Sequence, residues 1–172
     1  MGKRWRIHPH DGPRVAQLER VASVPAVVAQ LLLCRGVHDP AAIRTFLDAK
    51  LTGLLDPDDL PGVSGAAQRI MRAIEAKRRI VIYGDYDADG MTGTSLLYNG
   101  IRILGADVGY YLPNRLDEGY GLNASALEAL HRKGTSLVIS VDCGIASCHE
   151  ADVARELGTD LIVTDHHAFA DR

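Results

Sequence analysis

Four short runs of β-branched and aromatic residues recur in the second half of the chain, and three of them run into clusters of acidic or imidazole side chains. The runs are Arg79-Ile80-Val81-Ile82-Tyr83, Val108-Gly109-Tyr110-Tyr111-Leu112, Leu137-Val138-Ile139-Ser140-Val141 and Leu161-Ile162-Val163. Each reads as near-continuous apolar, as strands covered by helices on both faces must. Helices are expected between them, near 91–104, 123–132 and 147–157. In the first, Leu97, Ile101 and Leu104 form an apolar stripe. The second can be capped by Asn123 or by the Ser125-x-x-Glu128 box. Strands alternating with helices predict βαβ units and a parallel sheet. The fold class expected is therefore α/β: a mostly parallel, Rossmann-like sheet with flanking helices, preceded by a short helical N-terminal segment.

From about residue 15 to 78 the pattern is helical, with Pro25 and Asp39-Pro40 placed as helix starts and Gly36 as a stop. The clearest helix spans Gly65 to Lys77, where Ala67, Ile70, Met71 and Ile74 are spaced to share a face. Asp56-Pro57-Asp58-Asp59-Leu60-Pro61-Gly62 continues neither a helix nor a central strand and reads as a linker. The expected organisation is a helical segment with linker over 1–64 and a catalytic domain over 65–172, incomplete at its C-terminus.

With 22 acidic against 19 basic residues the formal charge is −3, which excludes a protein that coats nucleic acid by bulk electrostatics. It leaves a nuclease open, because cations bound among carboxylates reverse the local field. Lys3, Arg4, Trp5, Arg6 and Arg14 mix basic and aromatic side chains that suit either a strand contact or a frayed terminus. The apolar stretch Val27 to Leu33, interrupted by Gln30, is too short to span a bilayer, and no signal-peptide core is read. Cys34, Cys143 and Cys148 form no CxxC pair and fit reduced thiols. A cytoplasmic protein without membrane partners is expected.

The first run leads into Gly84-Asp85-Tyr86-Asp87-Ala88-Asp89-Gly90, the third into Asp142-Cys143-Gly144, and the fourth, after Thr164, into Asp165-His166-His167. Ligands of open α/β sheets bind beyond the carboxyl ends of the strands, so these groups should converge across about 80 residues of sequence. One such cluster alone is more often a turn or a helix cap. Three at three strand ends point to a site. Crowded carboxylates raise one another's pKa unless cations neutralise them. Oxygen donors with one or two imidazoles suit Mn²⁺ or Mg²⁺, and two such ions can drive phosphodiester hydrolysis. No P-loop is present, and Gly84, Gly90 and Gly93 do not fit GxGxxG.

These motifs, from Tyr83-Gly84-Asp85-Tyr86-Asp87-Ala88-Asp89-Gly90-Met91-Thr92-Gly93-Thr94 through Asp142-Cys143-Gly144 to Thr164-Asp165-His166-His167, resemble in order those of the DHH superfamily of phosphoesterases. Within it, Leu112-Pro113-Asn114-Arg115-Leu116-Asp117-Glu118-Gly119-Tyr120-Gly121-Leu122 looks like the RecJ branch of single-strand DNA exonucleases, as do Arg35-Gly36-Val37 and Phe46-Leu47. Other branches usually carry a histidine where Tyr83 stands. The resemblance spans roughly residues 24–172.

By position it implies that Asp87, Asp89, Asp142 and His166 hold two Mn²⁺ or Mg²⁺ ions, with Asp142 as the bridge. Asp85, Asp165 and His167 become catalytic helpers, His167 contacting the scissile phosphate or moving a proton. Arg115 is implied as a backbone-phosphate contact. Thr92 and Thr94, opening a helix, either face an anion or serve as caps. The activity implied is 5′-to-3′ hydrolysis of single-stranded DNA in recombination and repair, by in-line attack of an ion-activated water. The partners implied are single-stranded DNA, the remainder of its own chain, and other repair proteins. Alternatives are a DHH phosphodiesterase for short oligonucleotides or cyclic nucleotides, and a non-catalytic DNA-binding scaffold. The family pattern continues past Arg172 with a fourth motif supplying another metal-binding Asp and with a second domain. The chain alone is therefore expected to bind metal poorly, cleave slowly or not at all, and expose a sheet edge.

Overall fold

The computed structural model describes residues 9–48, 50–114 and 116–168. They form two compact units, one running to Asp59 and the other starting at Leu60. In the first, α1 (Gly12–Ala22), α2 (Ala26–Cys34) and α3 (Pro40–Asp48) pack around Val15, Leu18, Ala29, Leu32 and Ile43. Asp11 caps α1 by accepting from the Arg14 N–H at 3.1 Å, and Asp39 accepts from the Ala42 N–H at 2.8 Å at the start of α3. Pro25 immediately precedes α2, as its fixed φ favours. No single helix among the described residues is long and apolar enough to cross a membrane.

The second unit begins with α4 (Val63–Glu75) and continues β1 (Arg79–Tyr83), α5 (Ala88–Ile103), β2 (Val108–Tyr111), α6 (Ala124–Arg132), β3 (Thr135–Val141), α7 (Cys148–Leu157) and β4 (Asp160–Thr164). All strand pairs are parallel, in the order β2-β1-β3-β4. The expected doubly covered parallel sheet is present. Alternate side chains of each central strand enter opposite cores. Val81, Tyr83 and Val138 pack with Leu122, Ala126, Leu127, Leu130 and Ala154 on the face of α6 and α7. Ile80, Ile82, Leu137, Ile139 and Val141 pack with Ala73, Ile101 and Leu97 on the face of α4 and α5. Because β1 connects outward to β2 and the chain then returns past it to β3, the strand order reverses between β1 and β3. Their carboxyl ends flank the crevice where this fold binds ligands.

Three expectations change. The outer strands are only partly covered, with Tyr110 62% and Val163 38% exposed, because each lies at a sheet edge. Helix α4 turns a different face inward: Ala66, Ile70, Ala73 and Ile74 pack on the sheet, while Ala67 and Met71 are exposed. Small residues at 66 and 73 allow the close approach that Met71 would block. Helix α5 starts three residues earlier than expected and ends at Ile103, leaving Leu104 exposed and Leu97 and Ile101 in the core. The open choice at α6 resolves to Asn123, whose side chain accepts from the Ala126 N–H at 3.2 Å.

Candidate metal centre

The end of β1 delivers Asp85 in a buried position, 2% exposed. Close packing fixes it there: a Cβ on Gly90 would lie 2.7 Å from the Asp85 Cβ and 2.9 Å from its Cα and carbonyl oxygen. Only glycine lets the first turn of α5 settle on that strand end. Asp87 is the N-cap of α5, its Oδ1 accepting from the Gly90 N–H at 3.1 Å, so a candidate ligand also starts the helix. Asp89 projects from the first helical turn into solvent.

The end of β3 delivers Asp142 with φ 63°, a left-handed conformation that non-glycine residues rarely keep. Its N–H donates to the Thr164 carbonyl at 2.9 Å. The carboxylate is buried, and neither oxygen has a hydrogen-bond partner among the described residues. His166 Nε2 approaches Asp142 Oδ1 to 2.9 Å and Asp89 Oδ2 to 3.5 Å. Burial pushes the Asp142 carboxyl above its ordinary pKa, repulsion from Asp89 and Asp87 adds to this, and His166 partly offsets both. The Asp89 carboxyl is held low, first by a hydrogen bond shared with Asp87.

The end of β4 supplies the remaining groups. Asp165 Oδ2 accepts from the Ile145 N–H at 2.9 Å, and its Oδ1 accepts from the His167 backbone N–H at 3.1 Å and contacts His167 Nδ1 at 2.7 Å. Burial pushes the Asp165 carboxyl up, but these donors outweigh it and keep the group below its ordinary pKa. The same contact holds His167 above its usual value. An ionised carboxylate only accepts, so His167 Nδ1 carries the hydrogen of this contact.

Among the described residues, two sets of ligand atoms lie close enough to share an ion. One comprises Asp85, Asp87 and Asp142, the other Asp142, His166 and His167, with the atoms of each set within 4.8 Å of one another. Asp142 belongs to both. Asp89 is in neither set and reaches the cluster through His166. A divalent cation fits these donors: they are hard oxygens and imidazoles, and the buried Asp142 carboxylate meets only imidazole nitrogens that could themselves be ligands.

The nucleic-acid candidates fare differently. Thr92 is exposed, but its hydroxyl is engaged with the Ala88 and Asp89 carbonyls at 2.8 and 3.2 Å. Thr94 is 5% exposed, its hydroxyl seated where a side chain on Gly84 would be, so it faces the interior rather than a strand. Arg115, Lys3, Arg4, Trp5 and Arg6 lie outside the described residues; Arg14 sits exposed on α1. Tyr120 and the Ile145 N–H were not singled out in the sequence, yet both hold the site. The Tyr120 hydroxyl donates to the Asp142 carbonyl at 3.0 Å and contacts His167 Nδ1 at 3.2 Å. The signal was the Gly119-Tyr120-Gly121 triplet, a turn sequence without evident chemistry.

Comparison with known proteins matches residues 79–172 to the DHH family, N-terminal domain. The single-stranded-DNA-specific exonuclease RecJ of Bacillus subtilis is 44% identical over 164 residues, covering 95% of this chain and 21% of that protein. RecJ of Thermus thermophilus is 44% identical over 164 residues, covering 95% and 23%. RecJ of Escherichia coli is 36% identical over 161 residues, covering 92% and 28%. An exonuclease RecJ structure bound to manganese superposes with a TM-score of 0.62 at 42% identity, over 66% of this chain and 29% of that one. The structure of RecJ from Thermus thermophilus in complex with Mn²⁺ gives 0.61 at 29% identity, over 93% and 22%. The chain thus spans between a fifth and a third of the length of these relatives.

Proposed function

The chain belongs to the DHH family, and from that premise we propose that it carries most of the catalytic centre of a metal-dependent, single-stranded-DNA-specific exonuclease of the RecJ type. The observation that carries this reading is Asp142: buried, approached among the described residues by the His166 imidazole at 2.9 Å, and common to both ligand sets. Asp85, Asp87, Asp142 and His166 would hold the ions, Mn²⁺ or Mg²⁺, with Asp89 drawn in through His166. When bound, such ions supply Lewis-acid activation of water and neutralise charge on the phosphodiester.

The chain's own groups do the rest. Asp165, braced by the Ile145 N–H, fixes the His167 ring through Nδ1. His167 Nε2 is then available to a phosphate oxygen or to the proton passed to the leaving 3′ oxygen. Arg115, Thr92 and the rest of the relatives' length belong to strand binding in this reading. A role in DNA recombination and repair and 5′-to-3′ polarity rest on the family resemblance of the sequence motifs, and a cytoplasmic location on the reading of Cys34, Cys143 and Cys148 as reduced thiols.

The test is cleavage of 5′-labelled and 3′-labelled single-stranded oligonucleotides, with and without Mn²⁺, by this chain and by a version extended to the relatives' length. Release of 5′ nucleotides by the extended version only with Mn²⁺ is the expected result. Cleavage of dinucleotides or cyclic nucleotides alone refutes the exonuclease assignment, and binding without any cleavage refutes catalysis.

A further inference from the structure

Between β2 and α6 the chain passes over the carboxyl end of the sheet and brings Tyr120 to the metal-ligand cluster. We propose that Tyr120 is a positioning residue, whose hydroxyl ties the Asp142 carbonyl to the His167 imidazole and so sets the aim of both groups at once. The proposal rests on the cleft being a cation site and adds to it a residue outside the carboxylate and histidine motifs.

The hydrogen inventory permits one arrangement. A carbonyl can only accept, so the single hydrogen of the Tyr120 hydroxyl goes to the Asp142 carbonyl at 3.0 Å. Toward His167 Nδ1, 3.2 Å away, the phenol oxygen must then accept. The contact of Nδ1 with Asp165 Oδ1 at 2.7 Å independently requires a hydrogen on that nitrogen. The one Nδ1 hydrogen thus belongs to the shorter contact with Asp165, and the Tyr120 oxygen lies beside it as a second, longer acceptor.

The tie has backbone work as well. Asp142 sits at φ 63°, and a non-glycine residue keeps such a conformation only where its surroundings hold it. Its N–H is held by the Thr164 carbonyl and its own carbonyl by Tyr120, so both sides of the strained residue are pinned.

Tyr120 is itself anchored. Its ring meets those of Tyr86 and His167 edge-on at 6.4 and 5.8 Å. The next residue, Gly121, offers its carbonyl to the buried Tyr83 hydroxyl at 3.1 Å. A line of contacts thus runs from the core through Tyr83 to the loop and into the cluster. The Tyr120 ring is 54% exposed, so the position uses the hydroxyl more than ring burial.

Tyr120→Phe keeps the ring contacts and removes only the tie. In a protein extended to the relatives' length, calorimetric titration with Mn²⁺ should show affinity reduced by about tenfold or more, the size seen when partners that orient metal ligands are lost. Without metal, the unfolding midpoint should fall by only about 2–4 °C, as for one hydrogen bond in a chain of this size. In ¹⁵N spectra of the metal-free protein, the His167 Nδ1–H signal should broaden through faster solvent exchange. Parent affinity that Tyr120→Phe leaves unchanged overturns this proposal alone. A parent protein extended to the relatives' length that takes up no Mn²⁺ overturns both this proposal and the cation reading beneath it.

Discussion

At the amino ends of the strands, Arg79 faces Asp107 at 3.3 Å, Arg69 faces Asp160 at 3.9 Å, and His131 meets the Thr159 hydroxyl at 2.9 Å. At the carboxyl ends of the same strands, Asp85, Asp87, Asp89, Asp142 and Asp165 share two imidazoles, and the buried oxygens of Asp142 have no hydrogen-bond partner. One end of the sheet pairs its charges in solvent, where each pair is worth between zero and about 1 kcal/mol. The other crowds five carboxylates, of which Asp85 and Asp142 are buried, where an ionised group is costly. Stability explains the first arrangement, and only a ligand explains the second.

The contrast can be broken most sharply at Asp142. Asp142→Asn should abolish Mn²⁺ stabilisation, which for the parent reaches about 2.7 kcal/mol at a Mn²⁺ concentration one hundredfold above Kd. Without metal the same variant should melt higher than the parent at neutral pH. The sign follows from the raised pKa: the folded state favours the protonated carboxyl, so its ionised form opposes folding, more so as pH rises through the acid range. Thermal melts with and without Mn²⁺ check both halves; a variant less stable in both conditions would make Asp142 a structural residue.

Gly90→Ala comes next. A Cβ there meets Asp85 at 2.7 Å, so either α5 or the strand end must shift, and a loss of about 1–3 kcal/mol is expected in urea unfolding. Tyr83→Phe removes the tie to the Gly121 carbonyl and should cost about 1 kcal/mol by the same measurement.

A pH effect is expected beside the cleft. Glu118 is held below its ordinary pKa by the Tyr111 hydroxyl first and then by the Asn114 N–H. That stability is present above the unfolded carboxyl value and is lost as pH falls through the depressed folded one, so Glu118→Gln should flatten acid unfolding there. The smallest effect belongs to the amino ends. Arg79→Ala should cost under about 1 kcal/mol, less in high salt, with Mn²⁺ affinity unchanged.

Residues that act through near neighbours were legible in the sequence. The central strands announced themselves because both faces are buried, so Ile80-Val81-Ile82-Tyr83 carries no polar interruption. The convergence of Asp85, Asp87, Asp142 and His166 followed from the parallel order, which brings all strand ends to one side. Less was legible where packing, rather than hydrophobicity, decides. Helix α4 turns Ala66 and Ala73 inward and Met71 out, a choice driven by how closely helix and sheet can approach. The apolar edge strands read like central ones because pairing order is not written in local composition. Thr94 looked like a helix-terminal contact, and its burial depends on the notch at Gly84. Tyr120 was missed because it lies on the connection between β2 and α6, not directly after a strand, so the parallel order does not predict its contacts with Asp142 and His167.

The central claim, that the carboxyl end of the sheet is a cation site organised by Asp142, is tested most directly by anomalous diffraction at the manganese edge from crystals soaked in Mn²⁺. A peak within coordination distance of Asp142 and of Asp85 or Asp87 is the predicted result. Mn²⁺ bound elsewhere, with the Asp142 carboxylate bare, would contradict it.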